Sequence, residues 1–162
     1  MQKFTARYAG SAATFRGRQK GTVEAAREFL GGLALDRFVT SDPARFRREL
    51  NSVTDALTDV IPGKEWGFAR NAVNIFLRDC LYNTYLRERY GLTRAEPFME
   101  IALGWAVADA LRKRDRTLPA WTNTYSLDRY TNHQYQSAAD RIAGRKGFAR
   151  VHLDALYWTR MD

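Results

Sequence analysis

One cysteine in 162 residues, Cys80, rules out an intramolecular disulfide, and its place in an apolar helical stripe predicts packing rather than reactivity. A reducing, cytoplasmic setting is expected. No apolar run approaches the eighteen or so residues that cross a bilayer, and the N-terminus has no hydrophobic signal core, so no membrane association is expected. The two histidines, His133 and His152, and the lone cysteine show no metal-ligand spacing, so neither a metal nor another cofactor is expected. Ser126, Asp128 and His133 are not accompanied by anything like a nucleophile elbow, which argues against a hydrolase triad. Strand pairs, internal repeats and low-complexity tracts are also missing, and the remaining periodicity is helical.

What the chain has in excess is positive charge. Its formal charge is +8 and its pI is near 9.9, a balance that points to a polyanion such as nucleic acid. Residues 1 to 20 carry Lys3, Arg7, Arg16, Arg18 and Lys20 without an acid, so they read as a basic N-terminal arm ahead of a helical domain over 21–162. Two more clusters, "LRKRDR" and "RIAGRKGFAR", complete three basic patches that could frame a groove. Each also has a plain reading as a solvated face. With 45% hydrophobic and 13% aromatic residues the chain has enough material for one core, hence a single compact all-α domain.

Helices are expected from Thr22 to Gly31-Gly32, and from an Asp42 cap with Pro43 in the first turn to about Val60. After the break "IPGKEWG", the apolar residues Ala72, Val73, Phe76, Leu77, Cys80 and Leu81 recur at three and four, predicting a central helix from Ala69 to Gly91. A short helix capped near Thr93 follows, then one from Trp105 through "AVADALRKR". The loop "TLPAWTNTY" leads to Ser126 as a cap, and the last two helices span roughly Leu127 to Ala143 and Ala149 to Arg160.

The turn at Gly63 and Gly67 leaves backbone N–H groups free at the start of the following helix, where the helix dipole favours an anion such as a DNA phosphate. Lys64 and Arg70 flank it and would add contacts that position a duplex without reading its sequence. An αα-corner whose glycines simply permit the turn is the alternative. The stretch "IPGKEWGFARNAVNIFL" resembles the helix-hairpin-helix segment of the base-excision DNA glycosylase superfamily, Leu-Pro-Gly-Val-Gly-Arg-Lys-Thr-Ala-Asn followed by an apolar run. That resemblance places Gly67, Phe68, Ala69 and Arg70 on the phosphate-binding turn, Asn71 where bifunctional members have a lysine, and Asn74 on the family's asparagine. Downstream, "EIALGWAVADAL" is similar to the family's Ile-Pro-Val-Asp and following helix, with Gly104 at the aspartate. Near the C-terminus, "VHLDALYW" has Asp154 and Trp158 four apart, resembling the carboxylate and aromatic with which archaeal 8-oxoguanine glycosylases hold an extruded base.

The resemblance covers roughly residues 60 to 160 and implies a glycosylase that flips a base into a pocket and breaks the base–sugar bond. Because Asn71 cannot form an imine, it implies a monofunctional enzyme without Schiff-base lyase activity. Gly104 removes the carboxylate that stabilises the positive sugar in the transition state. Asp154 is then the first choice for the acid and Asp109, on the helix after Gly104, the second; a surface Asp154 paired with Arg150 at helical spacing is the alternative. Gly104, Trp105, His152 and Trp158 are the expected base pocket, Trp105 and Trp66 each having a core reading as well. A glycine beside the sugar leaves room for a bulky base, and the pattern also resembles bacterial phage-defence glycosylases that excise glucosylated hydroxymethylcytosine. The expected partner is double-stranded DNA carrying a modified base, met by a monomer. A catalytically inactive helix-hairpin-helix DNA-binding module and a helical protein-interaction domain remain as alternatives.

Overall fold

The computed structural model describes residues 1–9 and 19–158. Among them are eight α-helices and no strand: α1 (Gln2–Ala9), α2 (Thr22–Gly31), α3 (Pro43–Val60), α4 (Trp66–Tyr82), α5 (Thr84–Tyr90), α6 (Trp105–Arg114), α7 (Arg129–Gly144) and α8 (Leu153–Trp158). Short 3₁₀ turns lie at Leu35–Phe38, Leu92–Arg94, Glu96–Phe98 and Arg150–His152.

Helix α4 is the axis of the domain. Ala69, Ala72, Val73, Phe76, Leu77, Cys80 and Leu81 are buried along it, as the periodicity of the sequence requires. The core has two apolar clusters, the first holding the buried residues of α4 and the second touching α4 at the half-buried Trp66. One gathers α1 to α5 around Phe38, Phe46, Phe68 and Phe76; the other gathers α6 to α8 around Leu111, Tyr135, Leu153 and Tyr157. Burial pushes the Cys80 thiol far above its ordinary pKa, with the Asp79 carboxylate adding to the shift, so the sulfur is packing material.

Local chemistry sets the helix ends. Asp42 caps α3 by accepting from the Ala44 N–H at 2.8 Å, with Pro43 in the first turn. The expected central helix to Gly91 is instead two. Asn83 takes extended backbone, accepts from the Leu86 N–H at 3.1 Å and starts α5, because an asparagine side chain competes well as an N-cap. Asp128 rather than Ser126 caps α7, accepting from Thr131 N–H at 2.7 Å. Around Thr93 the chain makes two 3₁₀ turns instead of a helix, and 3₁₀ residues also precede α8.

The N-terminus differs most from expectation. Residues Gln2–Ala9 are not a loose basic arm: they form α1, with Thr5, Ala6 and Ala9 buried against α2 and α4 and the Gln2 amide bonded to the Leu33 carbonyl at 2.5 Å. Small residues at 6 and 9 allow this close packing while Lys3 and Arg7 stay outside. The rest of that arm, residues 10–18, lies outside the described residues. No helix among the described residues is long and apolar enough to cross a membrane.

Candidate functional site

The link between α3 and α4 turns through Gly63 and Lys64, both at positive φ (90° and 50°) and both exposed. Glycine reaches that region without penalty, whereas Lys64 holds it at a cost of order 1 kcal/mol. Beyond the turn, Gly67, Phe68, Ala69, Arg70 and Asn71 are buried. A Cβ on Gly67 would lie 2.5 Å from the Thr124 carbonyl oxygen and 2.6 Å from both the Leu127 oxygen and Cβ. The 124–127 segment therefore packs directly on Gly67, where the resemblance expected a phosphate. Of the residues expected to contact DNA, Gly67, Phe68, Ala69 and Arg70 are buried, and Gly63 and Lys64 are exposed. Gly67→Ala is expected to destabilise the fold by about 1–3 kcal/mol, since both opposing groups include backbone. A shift in the urea midpoint measures it, and an unchanged midpoint would show that the 124–127 segment lifts freely.

Arg70 has a different task. Its guanidinium makes a two-pronged pair with Glu100, Nε to Oε2 and Nη2 to Oε1 each at 2.9 Å, and its Nη1 donates to Asn51 and Thr54 at 3.0 Å. Asn132 donates to the same carboxylate at 3.1 Å. Burial raises the Glu100 pKa, but the Arg70 charge and the hydrogen bonds more than offset it, so the carboxyl lies below its ordinary value. Trp66 is half-buried between two cations, the Arg70 and Arg129 guanidinium carbons lying 5.4 and 5.1 Å from its ring centroid.

Glu100 opens a buried, non-helical stretch that ends at Gly104. Inside the domain its peptide groups need partners. Gln136 supplies both for Ile101, accepting from the N–H at 3.0 Å and donating to the carbonyl at 2.9 Å. Asn71 accepts from the Leu103 N–H at 2.7 Å. Asn71, at the position the resemblance gives to the lysine of bifunctional members, is thus a buried amide that ties α4 to the residue before Gly104. Gly104 is the N-cap of α6 without a side-chain cap, and nothing lies within 4 Å of a Cβ built on it. Trp105, at 68% exposure, stands beside this open space rather than in the core.

The acids are engaged. Asp154 is buried and paired with Arg78, which also binds Asp79 at 2.8 Å. Burial raises the Asp79 pKa, and Arg78 only partly offsets it. Asp154 therefore does not pair with Arg150, whose guanidinium meets the Met99 and Phe98 carbonyls at 3.2 and 3.0 Å. As a reacting acid it would first have to leave Arg78. Asp109 lies on α6 with Lys113 at 2.7 Å. His152 stacks on Tyr82, with Nδ1 3.0 Å from the phenol oxygen and Nε2 2.9 Å from Glu96. Trp158 ends α8, and its side chain lies outside the described residues; His133 is exposed on α7.

No family model, curated protein or solved structure matches this chain. The site therefore stands on its own geometry. Sequence reading missed Glu100, Asn51, Asn132 and Gln136; the available signal was the spacing of Asn132 and Gln136, four apart on α7, together with polar residues inside the α4 stripe.

Proposed function

We propose that the protein binds duplex DNA and receives a base at the open end of α6, acting as a monofunctional DNA glycosylase on a modified base. One observation carries this reading: stretches far apart in sequence, each resembling part of the glycosylase superfamily, converge beside α4. Asn71 bonds Leu103 next to Gly104, and α8, which bears Asp154, packs on α6. The space at Gly104 suits a bulky base, and exposed Trp105 offers an aromatic face for stacking. In this reading the α3–α4 link is a helix-hairpin-helix whose grip on DNA is reduced to the exposed Gly63–Lys64 turn. The enlarged site makes glucosylated hydroxymethylcytosine in phage DNA a candidate substrate.

A second reading, a DNA-binding module without catalysis, is favoured by the ion pairs that occupy Asp154 and Asp109. One experiment separates the two. Duplexes carrying 8-oxoguanine, uracil, alkylated bases or glucosylated hydroxymethylcytosine are incubated with the protein, then heated in alkali. Alkali-labile sites on one of them, without a borohydride-trapped adduct, are the expected outcome. Duplex binding with no abasic site on any substrate leaves the module reading, and a trapped adduct overturns the monofunctional assignment.

A further inference from the structure

The 124–127 segment packs against Gly67, and of the hairpin set only Gly63 and Lys64 are exposed, too little charge by itself to neutralise a duplex. Two basic stretches separated by about thirty residues meet at one corner of the fold. Arg141 of α7 reaches Asp115 just past α6 at 2.6 Å, which sets the end of α6 beside the end of α7. Arg112, Lys113, Arg114 and Arg116 belong to the first, Arg141, Arg145 and Lys146 to the second, and all are exposed. The acids among them are few: Asp109 is taken by Lys113, Asp115 by Arg141, and Asp140 lies 3.6 Å from Arg150. Among the described residues, Arg112, Arg116, Arg145 and Lys146 make no ion pair.

Cations in the last turn of a helix complement its dipole, which accounts for Arg112, Lys113, Arg114 and Arg141 without a ligand. It does not account for Arg116, Arg145 and Lys146, which lie beyond the helix ends. Lys113 and Arg141 are offset by Asp109 and Asp115, but Arg112, Arg114, Arg116, Arg145 and Lys146 leave this corner strongly positive, a field that favours a polyanion. We infer that this corner, formed by the C-terminal ends of α6 and α7, is the duplex-DNA backbone contact surface. The inference rests on the DNA-binding reading and gives it a place distinct from the hairpin turn.

The test compares two variants of equal charge. In one, Arg112, Arg116, Arg145 and Lys146 become alanine; in the other, the equally exposed Arg45, Arg47, Arg48 and Arg94 do. Duplex affinity is measured across a salt series, with the urea midpoint of each variant checking that it folds. The corner variant is expected to bind about tenfold or more weakly at low salt, and its log–log salt slope to flatten by up to about 3.6, since each of the four lost phosphate contacts contributes about 0.9. Equal losses in the two variants would overturn the inference while leaving DNA binding intact. No duplex binding by the unchanged protein at low salt would sink the DNA reading itself. Tighter binding to vesicles containing phosphatidylserine than to duplex would overturn duplex DNA as the occupant.

Discussion

Arg70→Ala is expected to lower the free energy of unfolding by about 3–5 kcal/mol, the cost of leaving a buried charge without its partner. Glu100 would keep only the amides of Asn74 and Asn132, at 3.3 and 3.1 Å, in place of a two-pronged guanidinium. Thr54 would also lose its cationic donor. Urea unfolding followed by circular dichroism measures the change. A phosphate-binding arginine at this position would give the opposite pattern, an unchanged midpoint and weaker DNA binding. The pair also sets a pH dependence. The folded-state pKa of Glu100 lies below its unfolded value, so its contribution is present above the unfolded pKa and is lost as pH falls through the folded one. The slope of stability against pH below the ordinary glutamate range should therefore shrink in Glu100→Gln.

Gly104→Asp should change both stability and chemistry. Gly104 has extended backbone, φ −107° and ψ 177°, which any residue adopts, and a Cβ there meets nothing. An aspartate at the uncapped start of α6 should accept from the first-turn N–H groups and stabilise the fold by about 1 kcal/mol. It would also put a carboxylate at the open site while leaving Asp154 with Arg78. If the glycosylase reading holds, excision of whichever base the unchanged protein removes should rise about 100- to 1000-fold, the size of one well-placed electrostatic group. Alkali-labile strand breaks at fixed enzyme concentration measure it. A more stable variant with no gain in excision would assign Gly104 to the non-catalytic module.

Periodic apolar residues announced the helices because burial imposes the same spacing on sequence and structure; α3, α6 and the body of α4 lie where the pattern puts them. Asn83 broke the central helix because capping competes with continuation, a balance settled within one turn. Gly67 shows a different limit. Its small size was legible, but the approaching group was not: a glycine suits a phosphate and a carbonyl equally, and the carbonyls come from residues sixty positions away. The ion pairs of Arg70 and Asp154 were not legible for a related reason. A charged residue in a helix looks the same in sequence whether it faces solvent or a buried partner, and Glu100 and Arg78 are brought to them only by tertiary packing.

The stretch from Glu100 to Gly104 has no ladder of its own; the side chains of Asn71 and Gln136, 32 and 35 positions distant, close its amides. A segment satisfied in this way gains nothing until both flanking helices have docked, so it belongs to the late steps of assembly. Exchange with solvent at Ile101 thus reports release of α7, and exchange at Leu103 release of α4, from the stretch that leads into Gly104.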